Sequence, residues 1–229
     1  MNSIEKKIIA IGGGGFTHQL DQSLDQFVID KLKRTNSKIG FLATASKDDE
    51  KKISLFYKRF ENTKFELSHF NLTSNINGFS KWLMSKDLVY IGGGNTVFML
   101  EIWKKNKLEH IFKDAYEKGI ILSGISAGAV CWFDWILSDS VGQRFNSLRG
   151  INLISGSCTP HSSNIERINQ FESDIKKNKI PQGIAIDDGV AVVFVDGKPT
   201  EVYSSRKNHT AYFLDKYKKI NLKEYIKSI

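Results

Sequence analysis

The sequence predicts an α/β fold, a mostly parallel β-sheet covered by helices on both faces and extended by C-terminal antiparallel strands. Three observations carry this prediction. Apolar runs that read as strands alternate with helical patterns as far as Ile125. Two of these runs end in glycine-rich elbows, Gly92-Gly93-Gly94-Asn95 and Gly124-Ile125-Ser126-Ala127-Gly128. Beyond Ile184 the runs shorten and lose their intervening helices, with Asp196-Gly197 as a hairpin signal. Strand–helix alternation is the pattern of a parallel sheet buried on both sides.

Taken in order, Lys7 to Ile11 is a β-branched run opening onto Gly12 to Gly15. Leu24, Phe27, Val28 and Leu32 then recur on one helical face. Lys38 to Ala43 reads as the second strand and Lys51 to Phe60 as the second helix. Phe65 to Phe70 is a weaker strand, followed by a helix around Phe79 to Met84. Leu88 to Ile91 leads into the first elbow, and helices cross Thr96 to Lys118. Ile120 to Ile125 leads into the second elbow, whose following helix is expected to include Cys131 and Asp134. After a helix near Ile165 to Ile175, four short strands follow: Ile184 to Ile186, Val190 to Val195, Glu201 to Ser204 and Ala211 to Leu214. No repeat, low-complexity stretch or linker divides the chain, so residues 1–229 read as one domain.

A chain of 229 residues buries a full core without disulfides or metals. Its 41% hydrophobic and 25% charged residues are those of a soluble globular protein. The formal charge of +8 is spread along the chain in short lysine runs, whereas a nucleic-acid footprint clusters on one face. No nucleic-acid partner is expected. Two cysteines, Cys131 and Cys158, form neither a metal pattern nor a disulfide framework and fit a reducing compartment. With no signal-peptide core and no apolar run of membrane-spanning length, a cytoplasmic protein is expected.

Gly124 to Gly128 has the G-x-S-x-G form of a nucleophile elbow, which places a serine on a sharp strand-to-helix turn with its hydroxyl exposed. The strand–turn–helix context that the motif requires is present. Ligands of open α/β sheets bind beyond the carboxyl ends of the strands, where this serine lies. As a nucleophile it would have the Ala127 N–H as its first oxyanion donor. The alternative is a tight turn in which serine only caps the helix.

A serine nucleophile needs a base, and the base needs an acid to orient it. Of five histidines, His110 lies in a charged helical stretch, His69 in a strand and His209 in a polar turn. His161 follows Pro160 in a loop, the commoner setting for function, and His18 is the second choice. Only Asp134 and Asp139 lie between Ser126 and His161. Asp134 would point away along the helix after the elbow. Asp139 is free to reach an imidazole, unless it only closes a turn with Ser140.

The Gly92 to Asn95 loop offers backbone N–H groups to a second oxyanion contact or to a phosphate. Neither it nor Gly12 to Gly15 completes a dinucleotide fingerprint or a Walker motif, so nucleotide binding is disfavoured. Cys131 reads as a packed side chain, since the elbow position is serine. The reading is a serine hydrolase that needs no cofactor or metal. A non-catalytic binding module, or an esterase or amidohydrolase with the same residues, is the alternative.

Ile91-Gly92-Gly93-Gly94-Asn95-Thr96, Gly124-Ile125-Ser126-Ala127-Gly128-Ala129 and Pro160-His161, in this order, resemble the dipeptidase E family of serine peptidases. That family includes aspartyl dipeptidases and the related cyanophycinases. The likeness runs from the first strand to Thr210–Leu214. It implies the flavodoxin-like, class I glutamine amidotransferase-like sandwich, no cofactor, a small peptide substrate, and a monomer or homodimer. By position it implies Ser126 as nucleophile, His161 as base and Asp139, 22 residues before His161, as the acid. Gly94 and Ala127 would line the oxyanion hole. Asn95 and Arg167 would face the substrate, the guanidinium suiting an acidic side chain. Residues 141–158 and those just after His161 depart from the aspartyl dipeptidases, and these loops should shape the substrate pocket.

Overall fold

The computed structural model describes residues 4–142 and 144–229. β1 (Lys7–Ile11) is followed by a 3-10 turn (Phe16–His18) and α1 (Gln22–Ile29). β2 (Lys38–Leu42) leads through a second 3-10 turn (Thr44–Ser46) to α2 (Glu50–Phe60). Next come β3 (Glu66–His69), α3 (Phe79–Leu83) and β4 (Leu88–Ile91), then α4 (Thr96–Lys105) and α5 (Glu109–Glu117). β5 (Ile121–Ile125) runs into the one-turn α6 (Ala127–Val130). β6 (Phe133–Ser138), β7 (Asn146–Arg149) and β8 (Ile154–Thr159) precede α7 (Ile165–Lys176). The chain closes with β9 (Gly183–Ile186), β10 (Val190–Val195), β11 (Lys198–Ser204), β12 (Ala211–Leu214), β13 (Lys219–Asn221) and α8 (Leu222–Ile226).

Seven strands form the first sheet in the order β11-β10-β1-β5-β4-β2-β3. Its β1, β5, β4, β2 and β3 run parallel, and the β10–β11 hairpin continues it antiparallel from β1. This is the expected fold class. Side chains alternate across it as a pleated strand requires. Ile8 and Ala10 of β1 join one core with Trp103 and Phe112, while Ile9 and Ile11 join another with Phe27 and Phe56. α2 shows how the sequence builds its covering layer. Asp49 caps it by accepting from the Lys51 N–H at 2.8 Å, and Ile53, Phe56 and Phe60 bury one stripe of it.

The sequence did not announce the second sheet, of order β13-β12-β9-β8-β6-β7. The helix expected through Asp134 stops at Val130, and Phe133–Ser138 is strand β6. Apolar and polar residues mix there in a way that fits either period. β8, Ile-Ser-Gly-Ser-Cys-Thr, is poor in β-branched residues and holds Gly156 at φ 98°. Tertiary packing decides both cases: Ile136, Cys158 and Ile184 enter the core shared with the first sheet. Leu137 and Ala185 meet Ile168, Phe171 and Ile175 of α7 on the other face. Among the described residues no helix is long and apolar enough to cross a membrane.

One buried acid braces the loop after β1. Asp25 is fully buried, accepts from the Phe16 N–H at 3.2 Å and Tyr90 Oη at 3.4 Å, and pairs with Arg59 Nε at 3.1 Å. Burial pushes its carboxyl from the ordinary 3.8 up to about 6, against the pull of the Phe16 N–H and Arg59. A folded value above the unfolded one means stability that is complete below about pH 4 and is lost as pH rises through 6, about 3 kcal/mol in all. Urea unfolding of wild type and Asp25→Asn should therefore diverge by about this much between pH 4 and 7, the wild type losing ground. A constant difference across that window would contradict the assignment.

Candidate active site

The two sheets end at a common edge. Ser126 follows the carboxyl end of β5, with Ile125 paired to Ile11 of β1. His161 and Asp188 follow the neighbouring parallel strands β8 and β9, whose Thr159 and Ala185 are paired. The turn Asp187-Asp188-Gly189 then crosses from β9 of the second sheet to β10 of the first. This crossing brings residues from distant parts of the chain to one point.

Ser126 has φ 54° and ψ −113°, a conformation that non-glycine residues rarely adopt. Its N–H donates to Ile11 O at 2.9 Å, which holds the elbow against β1. The flanking glycines have no room for side chains: a Cβ on Gly124 would lie 2.1 Å from Gly128 O, and one on Gly128 2.3 Å from Ile91 O. The sharp turn therefore follows from the motif itself.

Ser126 Oγ lies 2.8 Å from His161 Nε2, and His161 Nδ1 lies 2.5 Å from Asp188 Oδ1. Partial burial would raise the Asp188 carboxyl, but the His161 hydrogen bond and the nearby charges of His161, Arg206 and His18 outweigh it. The group is held below its usual value. An ionised Asp188 accepts from Nδ1–H and so leaves the Nε2 lone pair facing the serine hydroxyl. Asp187 serves the scaffold instead: its carboxylate accepts from Ser162 Oγ at 2.6 Å and from the Thr210 N–H at 3.1 Å. Gly13 packs on the imidazole–carboxylate pair, and Gly189 N–H donates to Gly13 O at 2.8 Å. Nearby, Asp21 takes Arg206 through Nε at 3.0 Å and Nη2 at 2.6 Å, tying the turn before α1 to the end of β11.

The structure departs from the sequence expectations at two residues through a single ion pair. Asp139 does not reach His161; its exposed carboxylate meets Arg167 Nη2 at 2.6 Å. The Arg167 side chain is 4% exposed, donates to Leu137 O at 3.3 Å and lies over the Phe145 ring. It faces Asp139 and the outer face of the second sheet, where it cannot present a guanidinium to a substrate. Asp188 stands where Asp139 was expected. It lies outside the interval between serine and histidine, in the turn that follows β9. The available signal was Asp187-Asp188-Gly189, an acidic turn between two strand-like runs. Asp134, expected on a helix, is in β6 and pairs with Arg149.

The remaining candidates fall as follows. Asn95 caps α4, its Oδ1 accepting from the Phe98 N–H at 2.9 Å. The N–H groups of Gly94 and Ala127 have no acceptor among the described residues. His69 meets Tyr57 Oη at 2.8 Å, a structural setting, and His18 is exposed with Nδ1 3.0 Å from Gly14 O. Cys131 and Cys158 are buried, and burial raises both thiols well above their usual value.

Comparison with known proteins bears on family and fold. The profile of peptidase family S51 matches residues 8–202. The uncharacterised peptidase YgaJ of Bacillus subtilis (strain 168) is 38% identical over 213 residues, covering 90% of this chain and 91% of its own. A peptidase from an acI-B1 actinobacterium has a similar fold, with a TM-score of 0.71 at 15% identity over 96% of each chain. A Listeria monocytogenes EGD-e protein, provisionally described as a peptidase E, has a TM-score of 0.65 at 19% identity, covering 89% of this chain and 100% of its own.

Proposed function

Because the chain belongs to peptidase family S51 and is thus a serine-type hydrolase, we propose that it cleaves short peptides through Ser126, His161 and Asp188. The observation that carries this reading is the continuous relay from Ser126 Oγ to His161 Nε2 at 2.8 Å and from Nδ1 to Asp188 Oδ1 at 2.5 Å. Ser126 Oγ attacks the scissile carbonyl carbon while His161 Nε2 takes its proton. Asp188 holds the imidazole tautomer and balances the imidazolium. The free N–H groups of Gly94 and Ala127 receive the oxyanion of the tetrahedral intermediate. His161 then passes the proton to the leaving amine, and water, activated by the same imidazole, hydrolyses the acyl-enzyme.

The substrate class follows from the family. A preference for N-terminal Asp does not draw on Arg167, whose charge is committed to Asp139. A panel of Asp-X, Glu-X, Asn-X and neutral dipeptides, hydrolysed by wild type and by Ser126→Ala, tests the proposal. At least one substrate should be cleaved, with turnover falling by about 10⁶ in the variant. Cleavage that survives in Ser126→Ala would remove the serine from the chemistry. A folded wild type that cleaves none of them would move the search to other acyl substrates.

A further inference from the structure

The N-terminal part of α2 reaches toward the first glycine elbow. Lys52 Nζ donates to Gly93 O at 3.0 Å. The lysine is half-buried and makes no ion pair with a carboxylate among the described residues. Burial lowers its pKa, with the more distant Asp49 acting in the opposite direction. Holding a desolvated ammonium on a backbone carbonyl, without a carboxylate to balance it, costs stability. The carbonyl chosen belongs to the peptide whose N–H is that of Gly94.

The residues on either side of that peptide are closely packed. No described peptide bond is cis, so the Gly94 N–H points opposite to the Gly93 carbonyl and away from Lys52. A Cβ on Gly93 would lie 3.2 Å from Ser126 Cβ, so this residue packs directly on the nucleophile. Gly94 sits at φ 150° with a would-be Cβ 2.2 Å from Ala45 O, and the Asn95 N–H donates to that same oxygen at 2.7 Å. Glycine at both positions would leave the intervening peptide free to rotate, with its N–H pointing either way. The ammonium removes that freedom, because only one orientation offers it an acceptor.

We infer that Lys52 is a positioning residue, holding the Gly93–Gly94 peptide so that its N–H faces the oxyanion formed at Ser126. A cation on the carbonyl oxygen also polarises the amide and strengthens its N–H as a donor. Lys52 touches neither substrate nor nucleophile. Its effect lies on the step in which negative charge develops, and binding is spared. The inference rests on the serine hydrolase reading above.

The test uses a fluorophosphonate, whose reaction with Ser126 also places charge on an oxygen, and separates the maximal rate of modification from the half-saturating concentration. Labelling of wild type at Ser126, absent in Ser126→Ala, is the condition for the hydrolase reading itself. Given that, Lys52→Met should lower the maximal rate by about tenfold, less than the 10²–10³ for losing an oxyanion donor outright, with half-saturation within about twofold. Lys52→Cys provides the control against misfolding, measured before and after alkylation with bromoethylamine, which rebuilds an ammonium at nearly the same reach. Cys131 and Cys158 are buried and lie away from the reagent. Recovery of the rate on alkylation is expected. An unchanged maximal rate in Lys52→Met, a loss carried by half-saturation, or no recovery on alkylation would each overturn the inference while leaving Ser126 labelling intact.

Discussion

Replacing Asp188 with Asn should lower kcat by about 10⁴-fold and leave KM within a few-fold, whereas Asp139→Asn should change either by less than about threefold. The contrast follows from where the two carboxylates sit. Asp188 accepts from His161 Nδ1 and is held ionised, so it fixes the tautomer that presents Nε2 to Ser126. An asparagine can turn its NH2 toward Nδ1, which stabilises the opposite tautomer and places a proton where the base should be. Asp139 is paired with Arg167 on an exposed loop and has no route to the imidazole. Its loss takes the carboxylate from a buried guanidinium, which costs stability but does not reach the imidazole. Steady-state kinetics of both variants on any cleaved peptide checks the pair of results. Equal losses would mean that neither assignment of the acid is right.

Gly13→Ala is the second substitution with a large expected effect. The added methyl would sit 1.9 Å from Asp188 Oδ1 and 2.8 Å from His161 Nδ1. Neither neighbour is the free end of a long side chain, since each is held by the other and by its turn. The clash is relieved only by parting the imidazole from the carboxylate or by moving the loop after β1. A displacement of about 1 Å from productive geometry costs on the order of 10² in rate, and complete loss of the acid's role about 10⁴. Turnover should therefore fall by about 10²–10⁴-fold. The loop lies at the sheet edge, so the melting temperature should move by only a few degrees. Circular dichroism melting beside kcat separates the two effects. Full activity would show that the loop does not press on the pair.

Much of this was legible in the sequence because it is written locally. The elbow needs only five residues: glycines at 124 and 128 that leave no space for a Cβ, and a serine between them forced to φ 54°. The parallel strands of the first sheet announce themselves as short apolar runs because both faces are buried, as Ile8 to Ile11 are. Asp196-Gly197 marks the β10–β11 hairpin. What was hidden is non-local. β6 and β8 become strands only because Ile136 and Cys158 pack on the first sheet, and neither strand carries a strong period of its own. Asp188 reaches His161 through the pairing of β8 with β9 and the crossing to β10, a relation absent from sequence spacing. Arg167 and Asp139 each suited the role expected of them by residue type, and each was satisfied by the other.

The most direct test of the relay at the serine elbow is mass spectrometry after fluorophosphonate treatment of wild type, Ser126→Ala and Asp188→Asn. The account predicts one adduct on the wild type, mapped to Ser126, none on Ser126→Ala, and modification of Asp188→Asn slowed by several orders of magnitude. An adduct on another residue, or modification of Asp188→Asn at the wild-type rate, would contradict it.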